Sequence, residues 1–205
     1  MLISGNYNTS KLDNGCEEII ETPKLIITLT TTKNQKKINK NKTTIDLGES
    51  EDLLRNYYYL SKDEILYMKK LDIIQEGFSI PKVEYDIYSK LSRTNLTKLN
   101  LSVCENSKIY ISIPVIINDN IDKFNSKSGY YNDICYTTTS DDGTDIILND
   151  RRKEYEEGNK TICQEDCDLD NYDYNTLQVK CSCKIKESSS SFANMTIDMS
   201  KMLHT

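Results

Sequence analysis

The chain has 205 residues, enough for one large domain or two small ones. Hydrophobic residues make up 37% of it, below the usual level of about 45–50%, so the apolar core must be modest for this length. The formal net charge of −6 argues against attraction to phosphate backbones, and we expect no nucleic-acid partner.

The first third of the chain contains two predicted strands and one helix. Residues 1–22 are expected to form an extended N-terminal segment. From Pro23 the chain reads KLIITLTTT, whose β-branched residues favour a strand. A loop rich in Lys and Asn separates it from a short strand at residues 43–48. Ser50 is the expected cap of a short helix, and the apolar face of this helix would carry Leu53, Leu54, Tyr57 and Tyr58.

The middle of the chain predicts a hairpin and two further strands. Residues 65–75 and 82–88 flank a turn that contains Gly77 and Pro81. In the second arm Val83, Tyr85 and Ile87 alternate with polar residues, the pattern of a half-buried strand. Strands are also predicted at residues 98–104 and 108–117; the latter should lie at a sheet edge or bend at Pro114, which cannot donate to a ladder.

The last third predicts a strand at 134–139, a helix over 150–157 that ends at Gly158, and a strand at 179–186. The sequence therefore predicts a mainly β fold with about eight strands and one or two short helices. We expect an antiparallel β-sandwich-like body over residues 23–133. A cysteine-rich subdomain with a disulfide-rich knot should follow at 134–187, and then a Ser-rich linker and tail at 188–205.

The seven cysteines allow either a zinc site or disulfides. Structural zinc sites favour paired ligands at C-x2-C or similar spacing, whereas the spacings here are C-x3-C and C-x-C. The single histidine, His204, lies at the very end of the chain. We therefore expect disulfides, formed in an oxidising compartment, and no metal site.

The spacing of the last cysteines limits how they can pair. Cys181 and Cys183 point to the same face of a predicted strand, with Cα atoms about 6.5 Å apart, so each needs its own partner. Cys163 and Cys167 are the nearest candidates. Cys104 with Cys135 would then tie the preceding strands, and Cys16 would be left over.

Glycosylation acceptors agree with an extracytoplasmic location. The N-x-[ST] pattern occurs at six positions: Asn8, Asn41, Asn95, Asn100, Asn159 and Asn194. Residues 1–10 lack the basic and apolar regions of a signal peptide, and no stretch approaches the roughly 20 apolar residues of a membrane span. We expect the targeting signal and the anchor to lie outside this chain.

No catalytic residue and no cofactor are predicted. A nucleophilic Cys or Ser usually needs a His base, and His204 is poorly placed for that role.

The EF-hand template fits Asp166, Asp168 and Asp170. It fails where Asn171 replaces the required Gly and Leu177 replaces the bidentate Glu. A looser calcium site on those three carboxylates is an open alternative. The 14 tyrosines suit either an interface or the packed edges of a β protein.

Four stretches together resemble a module of cysteine-rich surface proteins of protists, ciliates among them. They are SGYYNDICYTTTSDDGTDIILNDRRKEY at 128–155, NKTICQEDCDLDNYDYNTLQVKCSCKIK, IDLGESEDLLRNYY and KLNLSVCENSKI. The resemblance covers most of the chain from Cys16 onward. It implies a cysteine at the position of Ser50, so that here Cys104 is left without a partner unless Cys16 takes that place. It also implies a membrane-spanning region after the Ser-rich linker, outside this chain, and no particular activity.

The leading hypothesis is a non-catalytic interaction or adhesion-type module of a larger membrane-anchored protein, on the extracellular face of a membrane, with a protein or glycan as partner. A structural coat or matrix component is the first alternative, and it would self-associate. A calcium-dependent or carboxylate-based enzyme would need convergent Asp or Glu side chains in a cleft. A cytosolic zinc protein would contain bound zinc and free thiols.

Overall fold

Two antiparallel sheets form the body of the structure, a computed structural model that describes residues 7–37, 39–76, 80–91, 95–158 and 161–185. The first sheet has the spatial order β1 (Glu18–Thr22), β2 (Leu25–Thr31), β4 (Tyr67–Ile73), β5 (Lys82–Ser89) and β6 (Thr97–Lys98). The second has the order β3 (Thr44–Asp46), β7 (Lys108–Pro114), β9 (Gln178–Lys184) and β8 (Cys167–Asp173). The described helices are α1 (Ser10–Asp13), α2 (Thr32–Gln35), α3 (Glu49–Tyr57), α4 (Gly129–Asn132) and α5 (Leu148–Gly158), with 3₁₀ turns at Leu101–Cys104 and Ile121–Phe124.

The two sheets pack face to face around one apolar core, so the fold is a β-sandwich. Alternation along each strand decides which residues enter it. On β4, for example, Met68 faces the core, whereas Tyr67 faces outward and joins a smaller cluster under α1. The buried core side chains on the strands are Met68, Val83, Tyr85 and Ile87 from the first sheet, and Ile45, Ile109, Ile111, Ile113, Tyr172, Val179, Cys181 and Cys183 from the second.

The mainly β, sandwich-like fold predicted from the sequence is confirmed. The β4–β5 hairpin appears within the predicted arms, and Tyr67 pairs with Tyr88 in its register. The strand after Pro23 is β2, the strand at 43–48 is β3, and α5 ends at Gly158 as the sequence indicates. The second arm, predicted as a half-buried strand, is instead buried on both faces, because its polar residues Glu84 and Asp86 are also covered.

Two predicted strands are wrong. Of residues 98–104, only Lys98 belongs to a strand, and the chain then turns into the Leu101–Cys104 3₁₀ helix. The Asn100 side chain accepts a hydrogen bond from the Ser102 N–H at 2.8 Å, and this local bond competes with the ladder. Residues 134–139 contribute only an isolated bridge from Thr139 to Asp145.

The predicted helix is present, but its cap and its apolar face differ from the prediction. Gly48, with φ +53°, occupies the cap position, and Ser50 is buried inside the helix. Of the predicted apolar face, Leu54 is buried and Tyr58 packs against the core, while Leu53 and Tyr57 are exposed.

β7 ends at Pro114 and is not an edge strand, since β3 and β9 flank it. β3 pairs only as far as Ser112, so the missing N–H of Pro114 leaves no gap in a ladder on that side.

Two strands, β1 and β8, were not predicted. In β8, Cys167 and Leu169 pack against the core while Asp168 and Asp170 face solvent, and a bulge follows at Leu169/Asn171. Because acidic residues occupy the exposed positions of β8, its alternating pattern was not recognised as a strand in the sequence. Because β8 and β9 lie in the same sheet as β3 and β7, the cysteine-rich segment shares a sheet with the predicted body.

The segment that precedes and includes α5 packs around tyrosines. Tyr130 and Tyr131 are buried, and the Arg151 guanidinium lies 5.5 Å from the Tyr130 ring and 5.7 Å from the Tyr136 ring. Arg151 also donates to the Tyr130 carbonyl at 2.7 Å. These tyrosines stabilise the fold, whereas Tyr59 is 95% exposed.

Candidate functional site

The described residues form a cleft of about 670 Å³. It lies between β5 of the first sheet, β7 and β9 of the second, and the segment that carries Cys163 and Cys167. The floor is apolar and formed by buried side chains of Val83, Tyr85, Ile109 and Cys183. The rim is charged and exposed, with Lys82, Glu165, Asp166 and Lys184.

Two disulfides brace one wall of this cleft. Cys163 is bonded to Cys181 and Cys167 to Cys183, with Cα atoms 5.7 and 4.0 Å apart. The prediction that Cys181 and Cys183 do not pair with each other, and that Cys163 and Cys167 are their partners, is confirmed. Both bonds anchor residues 163–167 to β9, and each limits the freedom of the unfolded chain.

The predicted pair of Cys104 with Cys135 is wrong. Both thiols are free, and Cys104 is buried while Cys135 is exposed. The reason is the 3₁₀ helix that replaces the predicted strand, since it turns Cys104 beneath α3. Cys16 is also free, as expected of the leftover cysteine.

The Cys104 thiol belongs to a group of buried polar atoms in the core. It donates to the Ser50 carbonyl at a distance of 3.5 Å. The Ser50 and Tyr85 hydroxyls have no hydrogen-bond partner among the described residues. Burial raises the pKa of the Cys104 thiol, and burial together with the nearby Cys104 raises the pKa of Tyr85. These thiol and hydroxyl groups are therefore neutral at physiological pH.

Gln164 links the disulfide segment to the edge of β5. Its side-chain oxygen accepts from the Val83 N–H at 2.7 Å, and its amide nitrogen donates to the Val83 carbonyl at 3.3 Å. This pair of bonds has the pattern that a neighbouring strand would form. Sequence reasoning missed Gln164, because nothing along the chain indicates that residue 164 meets residue 83.

The strand β5 has an incomplete neighbour at this edge. β6 pairs only with Tyr88 and Ser89, and Leu99 adds one bond to the Ile87 carbonyl. Beyond that point β6 leaves the sheet, and Gln164 contacts β5 near its start. The edge of β5 between these contacts borders the cleft.

Disulfides, carboxylates and lysines are among the groups that line the cleft. The cysteines that line it are all in disulfides, so none supplies a thiolate. His204, the only histidine of the sequence, lies outside the described residues. On the rim, Lys82 is paired with Glu84 at 2.9 Å.

A second, polar cavity of about 310 Å³ adjoins the buried Lys70. The Lys70 ammonium donates to the Thr43 carbonyl at 2.6 Å and pairs with Asp72 at 2.9 Å. Burial lowers the pKa of Lys70, and Asp72 partly offsets this effect. Because every proton of the ammonium has an acceptor in Thr43 or Asp72, we interpret this network as a structural link between β4 and the residue that precedes β3.

The candidate calcium ligands are not brought together. Asp168 pairs with Lys127 at 2.7 Å, and Asp170 with Lys180 at 3.5 Å. Lys127 holds the pKa of Asp168 below its usual range. Asp166 lies in the turn before β8, and within the described parts of the chain no three Asp, Glu, His or Cys side chains converge on one point.

The predicted glycosylation acceptors Asn8, Asn41, Asn95 and Asn100 are all exposed, while Asn159 and Asn194 lie outside the described residues. The two disulfides indicate an oxidising environment, extracellular or secretory. In the portion of the chain that the structure describes, no helix combines the length and the apolar character required to span a bilayer.

Comparison with known proteins adds no relative. No protein-family model matches the sequence, and neither a curated protein nor a solved structure matches it.

Proposed function

We propose that this chain is a non-catalytic interaction module that acts at an extracellular surface, as part of a larger membrane-anchored protein, and binds a protein or glycan in the cleft beside the disulfides. The observation that carries the proposal is the cleft itself: an apolar floor, a charged rim and a wall anchored by two covalent bonds. Binding sites typically combine an apolar concave surface with a few polar groups that orient the ligand.

The disulfides support this proposal because they make the wall rigid before any ligand arrives. A preformed site loses less conformational entropy on binding than a flexible one. The four described glycosylation acceptors are exposed, and none of them lines the cleft. Glycans at these four positions would therefore leave the cleft accessible.

The test uses the full chain produced in a secretory host, so that its disulfides form. It is multimerised and applied to a displayed library of short random peptides and to an array of defined glycans. The blocking variant Glu165→Trp introduces a bulky ring at the rim. Its matched control is Glu105→Trp, which changes the same residue type at an exposed site away from the lining. We expect ligands that bind the wild type and the control but not the blocking variant.

Equal binding by the wild type and Glu165→Trp would place recognition elsewhere and contradict the proposal. Chemical conversion of a selected peptide or glycan would show that the module is an enzyme. A ligand-independent shift to large assemblies in sedimentation velocity would favour the coat or matrix alternative.

A further inference from the structure

The free edge of β5 has an alternating set of backbone groups that face the cleft. In an antiparallel ladder, alternate residues direct both their N–H and C=O groups to the same neighbour. The Ile87 carbonyl accepts from Leu99, and Val83 bonds to Gln164, both on the side away from β4. Tyr85 lies between them with the same parity, so its N–H and C=O also point away from β4.

No hydrogen bond joins these two Tyr85 groups to another described residue. Tyr85 lines the cleft and is 7% exposed. A β5 residue with an unpaired donor and an unpaired acceptor is a template for an additional strand. The carboxamide of Gln164 already occupies the neighbouring position at Val83 in the manner of a peptide group.

We propose that the cleft binds an extended peptide segment of a partner protein, which adds as a strand to the free edge of β5 and displaces the side chain of Gln164. This inference rests on the proposed function and specifies its ligand. The peptide would form two backbone hydrogen bonds with Val83 and two with Tyr85. Leu99 limits the added strand on one side, because it already occupies the edge at Ile87.

The geometry also determines the side chains that such a peptide needs. Residues paired directly across a ladder place their side chains on the same face of the sheet. Val83 and Tyr85 face the core side, toward Ile109 and Cys183 at the floor of the cleft. The peptide residues whose amides bond to β5 must therefore carry apolar side chains, and the residues between them should be polar.

The probe is the peptide Lys-Val-Thr-Val-Thr-Lys, acetylated and amidated at its ends, with two N-methylated versions. One version is methylated at both Val nitrogens, the other at both Thr nitrogens. We expect the unmodified peptide to bind, Val methylation to reduce its affinity by about tenfold or more through lost backbone bonds, and Thr methylation to have little effect. The Val-methylated peptide cannot recover these bonds by presenting its other edge to β5, because its Thr side chains would then face the apolar floor of the cleft.

Two protein variants test the role of Gln164 with the same peptide. Gln164→Ala removes the group that competes for Val83, so we expect affinity to rise by about threefold or more. Gln75→Ala is the matched control, since Gln75 lines the cleft but forms no hydrogen bond with Val83. Residue-resolved hydrogen exchange should show the Tyr85 amide becoming protected when the peptide binds, and thermal melts verify that both variants fold.

Three results would overturn the inference. The two methylated peptides could bind equally well, the contacts could map to β1, or the edge of β5 could pair with a second copy of the chain. If selected ligands are lost in Glu165→Trp but tolerate N-methylation at every position, the interaction module stands and strand addition fails. If neither the wild type nor Gln164→Ala binds the hexapeptide at millimolar concentration, strand addition is also rejected.

Discussion

Ser50 and Cys104 lie side by side in the core, although 54 residues separate them along the chain. Both are almost fully buried, and the Cys104 sulfur is 3.5 Å from the Ser50 carbonyl oxygen. The Ser50 hydroxyl has no hydrogen-bond partner among the described residues, which costs stability because it is desolvated without compensation.

The substitution Ser50→Cys should therefore create a third disulfide, with Cys104. A disulfide that closes a loop between residues 54 apart stabilises the fold by up to about 4 kcal/mol. Thiol titration of the denatured protein should find two free thiols in the variant, compared with three in the wild type. The control Ser50→Ala should keep three free thiols and change the free energy of unfolding by less than about 1 kcal/mol. Four free thiols in the cysteine variant would contradict the prediction.

The element that organises the cleft is β9, which carries Cys181 and Cys183 and pairs with both β7 and β8. Its two disulfides close loops of 18 and 16 residues. Three edge strands have features that disfavour pairing with another chain: β3 and β6 are short, and β8 is bulged and acidic and is joined to β9 through Cys167.

Removing one of these disulfides should lower stability measurably. For the double variant Cys163→Ala, Cys181→Ala we expect a loss of about 3 kcal/mol, which corresponds to a melting temperature lower by roughly 6–12 °C. Differential scanning calorimetry measures this, and Cys16→Ala serves as a control in which an exposed free cysteine is lost. An unchanged melt in the double variant would show that the bond does not contribute to stability.

The strands and the site differ in how far the sequence predicts them. β2, β4, β5 and β9 were predictable because their alternation or β-branching is strong within a single segment. The segment at residues 98–104 alternates equally well, but the local bond from Ser102 to Asn100 turns it into a 3₁₀ helix.

The cysteine pairs of the cleft followed from strand geometry, since residues two apart on β9 cannot bond to each other. The contact of Gln164 with Val83 and the proximity of Ser50 to Cys104 were not predictable. Each depends on how the second sheet packs on the first, which no local pattern encodes.

At the scale of the whole molecule, six tyrosines have pKa values raised by burial: Tyr7, Tyr67, Tyr85, Tyr88, Tyr130 and Tyr131. For Tyr131 the pKa rises to about 12. In the folded state these phenols retain their protons at pH values where the unfolded chain, with a pKa of 10.0, has lost them. The stabilisation that these buried phenols contribute is therefore fully present below pH 10, and it is lost as the pH rises from there through their folded-state pKa.

We expect the free energy of unfolding to fall steeply between about pH 10 and pH 12. Urea denaturation at each pH, with the exposed thiols alkylated beforehand, measures this decline. Absorbance at 295 nm should show that the native protein titrates at higher pH than the urea-unfolded chain. Equal stability at the two pH values would contradict the role assigned to the buried tyrosines.

The order of strands in the second sheet has a consequence for how fast the protein folds. Its central ladder joins Pro114 to Gln178, and its outer ladder joins Thr44 to Ser112. Both pairings need distant segments to meet before any bond between them forms, and the entropy of closing such loops slows folding. By contrast, the two disulfides close loops of only 18 and 16 residues at the β8–β9 end of the chain, so the oxidation of Cys181 and Cys183 does not have to wait for these distant pairings.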